Sequence, residues 1–137
     1  MNIHHFLEKS ASRHAHLCPR QVLGVRTGLL AARIFRMPPG ENPNKRMLAI
    51  VESDGCFSDG VEVATGCTLG HRRLRHEDYG KIAATFVDTK SGKAIRIHPR
   101  QDVRQRAASL FPQETSRYLA QLQAYQVMLD DDLLVVR

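Results

Sequence analysis

The amino-acid sequence predicts an α+β domain, a mixed or antiparallel sheet flanked by helices. Two stretches of helical periodicity open the chain, apolar runs of strand length follow, and the two kinds of segment mix without a strict βαβ rhythm. With 137 residues, 42% hydrophobic and 25% charged, the chain fits one domain over residues 1–137 with room for a proper core.

Ile3, Phe6, Leu7 and Ala11 recur at helical spacing and predict a short amphipathic helix. Pro19 suits the first turn of a second helix, where its missing N–H does no harm. Val22, Val25, Leu29 and Ala32 give that helix one apolar stripe, extending to about Arg36. Gly24, Gly28 and Ala32 lie four apart on it. Each internal glycine costs about 1 kcal/mol relative to alanine, so the strip predicts a closely packed neighbour. That neighbour is either a helix of the same chain or another copy of the chain, and a homodimer is expected.

Three prolines make residues 37–45 a loop, and residues 47–52 read as a buried strand. Ser53, Asp54 and Gly55 turn the chain into a helix marked by Phe57, Val61 and Ala64, which Gly66 ends. Residues 68–81 read as polar and irregular. Residues 82–87 and 93–98 read as two strands joined in a hairpin by Thr89, Lys90, Ser91 and Gly92. Val103, Ala107 and Leu110 mark a further helix, and Tyr118, Leu122, Tyr125 and Leu129 the face of another. Asp130, Asp131 and Asp132 are expected to break it before residues 133–136 close the domain as a strand.

A net charge of +6 is compatible with an anionic small molecule. The basic residues concentrate at His71, Arg72, Arg73, Arg75 and His76. Aromatics are only 6% and are not interleaved with them, as a stacking platform for single strands requires, so nucleic acid is a minor expectation. No apolar run approaches a membrane span and the opening residues do not resemble a signal peptide; a cytoplasmic location is expected by default. The 3 cysteines form no C-x-x-C, which disfavours a zinc ribbon or a thioredoxin-type motif.

The chemistry concentrates in Arg13-His14-Ala15-His16-Leu17-Cys18-Pro19. An extended backbone there would point His14, His16 and Cys18 to one side, and imidazole with thiolate suits zinc or a similar ion. Cys56 stands after Asp54-Gly55 at the expected amino end of a helix, where the dipole favours a thiolate. Cys67 lies beyond the other end, and two sulfurs on one zinc cannot be more than about 5 Å apart. A full helix between them leaves Cys67 a buried hydrophobe or a neighbour of the site; a shorter one lets it return beside Cys18. Asp59 and Glu62 are one turn apart and could serve as acid, base or acceptor to an imidazole. Tyr79 and Lys81 could hold an anionic substrate or simply lie on the surface. His4, His5 and His98 have no partners at ligand spacing.

His14-Ala15-His16-Leu17-Cys18-Pro19, followed by Val22-Leu23-Gly24-Val25-Arg26-Thr27-Gly28, resembles the opening motif of the FmdE-like family, named for formylmethanofuran dehydrogenase. The pattern continues through Glu52-Ser53-Asp54-Gly55-Cys56, Asp59, Thr65-Gly66-Cys67-Thr68-Leu69-Gly70 and Asp78-Tyr79-Gly80-Lys81. The resemblance implies an α+β domain that dimerises and binds a metal near these motifs. The enzyme behind the family name is a molybdenum or tungsten enzyme of one-carbon metabolism. Some relatives carry a cysteine-rich zinc finger at the carboxyl end; with no cysteine after Cys67, none is expected in this chain.

The expected site is His16, Cys18 and Cys56, with His14 or water completing it around a divalent ion, zinc by ligand type. Asp54 and Cys67 stand as neighbours or cleft residues, and Cys56, Asp59, Tyr79 and Lys81 as candidates for chemistry. Two alternatives accompany this reading: a non-enzymatic metal carrier or accessory protein for a molybdenum or tungsten enzyme, and an anion- or nucleic-acid-binding module built on residues 71–76.

Overall fold

The computed structural model describes residues 2–137. Its helices are α1 (Ile3–His14), α2 (Pro19–Ile34), α3 (Cys56–Thr65), α4 (Val103–Leu110), α5 (Arg117–Val127) and a single turn, α6 (Asp130–Leu133). The strands are β1 (Met47–Val51), β2 (Leu74–His76), β3 (Ala84–Asp88), β4 (Ala94–Pro99) and β5 (Leu134–Val136), in the sheet order β2-β1-β3-β4-β5. β2 runs parallel to β1 and the other pairings are antiparallel, so the sheet is mixed and the class is α+β.

Alternation along β1 buries Met47, Ala49 and Val51 on one face. Ala49 stands opposite Phe86 and Val51 opposite Ala84, whose own partner is Ile97, so one continuous apolar face crosses three strands. Two forked arginine–carboxylate pairs fasten its borders. Arg46 donates to both oxygens of Asp88 at 2.7 Å each, and Arg96 to both oxygens of Glu52 at 2.7 and 2.9 Å. The facing guanidinium holds each carboxyl below the ordinary carboxylate range.

α2 and α3 run parallel and touch backbone to backbone. A Cβ on Gly24 would lie 2.2 Å from the Phe57 carbonyl oxygen, one on Gly28 2.7 Å from Ala64 Cβ, and one on Gly60 2.5 Å from the Gln21 carbonyl oxygen. The neighbour of the glycine strip is therefore a helix of the same chain, and α3 answers with a glycine of its own. The strip consequently gives no argument for a dimer. From the same helix, Arg26 reaches the end of α5: its guanidinium donates to the carbonyls of Tyr125 (2.8 Å) and Met128 (2.6 Å) and to Asp130 (2.9 Å). Carbonyls left unpaired at a helix end are good acceptors for a cation.

Three expectations change. Residues 74–76 form a strand, held by its parallel pairing with β1 rather than by local pattern. The core side of α5 is Ala120, Ala124 and Tyr125, whereas Tyr118 is 47% and Leu129 72% exposed. The aspartates do end α5, but they then wind their own turn, α6. No helix among the described residues is long and apolar enough to cross a membrane.

Gly24→Ala should cost about 3 kcal/mol, because the added methyl meets backbone that cannot move alone. Gly70→Ala, where a Cβ meets nothing within 4 Å, should cost little. Urea midpoints read the difference, and equal midpoints for the two variants would contradict the backbone contact.

Candidate metal centre

The parallel pairing of α2 and α3 brings their amino ends together, and each end carries a thiol. Cys18 is the N-cap of α2, extended at φ −121° and ψ 162°, with no side-chain cap bond; its carbonyl accepts from the N–H groups of Gln21 (3.1 Å) and Val22 (3.2 Å). Cys56 is the first residue of α3. Gly55 before it sits at φ 88° and ψ −145°, a conformation for glycine, which swings the chain from β1 sharply into the helix. Both thiols are half-buried and they lie against one another.

This arrangement reverses one expectation. Burial pushes the Cys56 thiol up, and hydrogen bonding and charge from Cys18 push the same way, while the Gln21 amide pulls it down. The helix amino end favours a thiolate, but desolvation and the second thiol outweigh it. Gln21 is the residue that sequence reasoning missed. It is fully buried, and neither amide atom has a hydrogen-bond partner of normal geometry. A buried, unpaired amide costs on the order of 1–3 kcal/mol, so its place beside two thiols calls for an explanation. The available signal was position: Gln21, Gly24 and Gly28 share one helical face, which made Gln21 a polar residue on the packed side of α2.

The histidines behave differently from the extended run. α1 continues to His14, and Ala15 caps it in the left-handed region at φ 63°. The backbone is therefore not extended through His14, His16 and Cys18. The His14 ring, by Nε2, contacts the Asp59 carboxylate in the first turn of α3. Arg13 stands 3.5 Å from the same carboxylate and 3.4 Å from Glu62. Basic groups ending α1 thus meet acidic groups of α3, with Asp59 in its first turn, where a negative charge suits the helix dipole. His16 is exposed in the bend between α1 and α2. Among the described residues no three His, Cys, Asp or Glu side chains form a group able to hold a metal ion.

Asp54, Asp59 and Glu62 line a cavity of about 270 Å³ with Ser58 and His76. Cys67 is remote from it. Since α3 occupies Cys56–Thr65, the two cysteines flank it about 15 Å apart along its axis. Cys67 is fully buried, with its sulfur 3.5 Å from the Met47 carbonyl oxygen, and burial pushes its thiol up to about 11. Tyr79 is 65% exposed, and its N–H and that of the exposed Lys81 both donate to the Glu52 carbonyl. Neither lines the cavity at Asp59.

A family model described as FmdE, Molybdenum formylmethanofuran dehydrogenase operon, matches residues 13–134. A probable S-adenosyl-L-methionine-binding protein of Archaeoglobus fulgidus is 41% identical over 87 residues, which are 62% of this chain and 24% of the relative. The chain thus spans about a quarter of that relative's length. Among solved structures, a tungsten formylmethanofuran dehydrogenase FmdE-like protein from Syntrophus aciditrophicus matches with a TM-score of 0.68 at 19% identity. The match covers 100% of this chain and 71% of that one, a likeness of fold.

In chelator-treated protein, alkylation of Cys56 should rise with pH about a midpoint above that of an ordinary thiol. Cys18→Ala removes one cause of the upward shift and should lower that midpoint. Cys67 should stay unlabelled until the protein unfolds. Rate measurements by mass spectrometry check all three, and an unmoved Cys56 midpoint in Cys18→Ala would contradict the contact between the thiols.

Proposed function

The chain belongs to the FmdE family, and on that premise we propose that it is a divalent-metal-binding domain, with zinc held by the Cys18 and Cys56 thiolates. The observation that carries this reading is the pair of adjacent thiols at the joined amino ends of α2 and α3. Two thiols pressed together repel as thiolates. A divalent ion between them removes that penalty and gains two strong ligands.

His14 is the proposed third ligand. Asp59 engages its Nε2, which leaves Nδ1 as the nitrogen available to a metal, the carboxylate–histidine pairing common at such sites. His16, exposed in the bend, or water would complete the set. The Gln21 amide can donate to a metal-bound thiolate, which would satisfy a group otherwise buried without a partner. With a position left open, the ion would supply Lewis-acid chemistry. Asp54 and Asp59 are then the groups placed to move a proton.

The half-exposure of both thiols favours a second reading, a carrier or accessory protein that passes its metal to a molybdenum or tungsten enzyme of one-carbon metabolism. A reducing cytoplasm suits either role, because it keeps both thiols available. A homodimer fits the exposed apolar side chains Leu110, Val127 and Leu129.

Protein purified without an affinity tag or added metal should contain about one equivalent of zinc per chain. Cys18→Ser and Cys56→Ser should each lose it, while Cys67→Ala and His98→Ala should keep it. Elemental analysis of the folded variants decides; a full equivalent in both serine variants would overturn the proposal.

A further inference from the structure

At the opposite end of α3 from the thiols lies a second cleft that the metal reading leaves unused. It has a volume of about 410 Å³ and is lined by Asn42, Asn44, Lys45, Gly66, His71 and Arg73. Its charged or chargeable lining groups are all basic, and no carboxylate lines it. We propose that this cleft binds a small oxyanion of phosphate type, either free or as the terminal group of a small molecule.

Three independent features point there. First, Lys45 and Arg73, like Arg72, Arg75 and Arg104, form no ion pair among the described residues, and they are the two of these that line one cleft. Arg73 keeps its Nε buried with no acceptor, and a buried donor of a charged group left unpaired is costly. Second, the walls are strained. Of the five non-glycine residues with positive φ among the described residues, Asn44 (59°), Lys45 (53°) and Arg72 (62°) lie on the two segments that form the cleft. Such conformations persist where the surrounding structure demands them, and they cluster at binding sites. Third, His71 is held in place. Its Nδ1 lies 2.6 Å from the Thr68 hydroxyl, whose oxygen also accepts the His71 N–H at 3.2 Å, so Nε2 is the ring nitrogen left for a ligand.

Asn42 contributes shape rather than donors, since its amide is engaged with Met47 N–H (2.7 Å) and Met47 carbonyl (2.8 Å). A guanidinium, an ammonium and an imidazole lining one cleft can match the several oxygens of a tetrahedral anion. The volume lies within the range of small-ligand sites and admits more than a bare anion. One feature opposes the site: the carboxyl end of α3 faces it. The last carbonyls are answered, Glu62 by the Gly66 N–H (2.9 Å) and Ala64 by the Gly40 N–H (2.7 Å). Cations that served only the helix dipole would nonetheless give the same surface.

Titration separates the two. Inorganic phosphate added to the full chain at constant ionic strength should produce saturable amide shifts at Lys45, Gly66 and residues 71–73, while chloride should not. Arg73→Gln should weaken binding roughly tenfold or more, the loss expected for a charge-assisted contact. Lys45→Asn, which removes the charge with a residue that tolerates the left-handed region, should weaken it several-fold and guards against misfolding of the first variant. Arg104→Gln, outside the cleft, should have no effect. A phosphomonoester of a small sugar serves as a second probe: tighter binding than phosphate identifies a small-molecule ligand, and equal binding identifies the free anion. Shifts matched by chloride, or affinity untouched in both cleft variants, would overturn the proposal. Preferential binding of a short single-stranded oligonucleotide with steep salt dependence would overturn it too, in favour of a nucleic-acid surface.

Discussion

The contact of α2 with α3 through Gly24, Gly28 and Gly60 is the constraint on which the rest of the structure depends. Side chains normally keep helix axes roughly 8–10 Å apart. Here each glycine lets an atom of the facing helix occupy the place of a side chain. Because the helices are parallel and in fixed register, their amino ends coincide, and whatever begins each helix is delivered to one place. Cys18 begins one and Cys56 the other. The pairing of the two cysteines is thus a consequence of packing along two helices rather than of a local loop. A neighbour supplied by α3 also explains why two glycines are tolerated inside α2 despite the cost of about 1 kcal/mol each.

α3 further divides the molecule by charge. Asp54 and Asp59 line the cavity toward its amino end, with Glu62 in its last turn, and Arg13 and His14 from the end of α1 meet Asp59. Lys45, His71 and Arg73 gather at its carboxyl end. Acidic groups toward the start of a helix and basic groups at its end are the distribution that the helix dipole favours. Asp54 and Asp59 thus stand toward one end of α3 and the basic cleft at the other.

Much of this was legible in the sequence, and the failures have physical causes. Pro19, the apolar run beginning at Met47, Gly66 and the turn at Thr89 to Gly92 act locally, so their elements fell where local rules put them. β2 depends on pairing with β1, a partner distant in sequence, and two of its three residues are exposed, so it carries no pattern of its own. The alternation of His14, His16 and Cys18 does not lie on extended backbone, because α1 runs to His14 and Ala15 adopts φ 63°, a conformation non-glycine residues seldom take. Cys18 and Cys56 were both legible as candidate ligands; that they come together was not, since this follows from register between helices. Gln21 escaped notice because an amide in a first helical turn usually faces water, and only the packing of α3 shows that it is buried.

The central claim is that the register of α2 and α3 assembles a two-sulfur site from Cys18 and Cys56 and excludes Cys67. X-ray absorption at the zinc edge of the loaded protein addresses it most directly, because it counts sulfur ligands without reference to any structure. The account predicts two sulfur scatterers at about 2.3 Å, with nitrogen or oxygen filling the remaining positions. A first shell without sulfur, or one containing three sulfurs and so requiring Cys67, would contradict it.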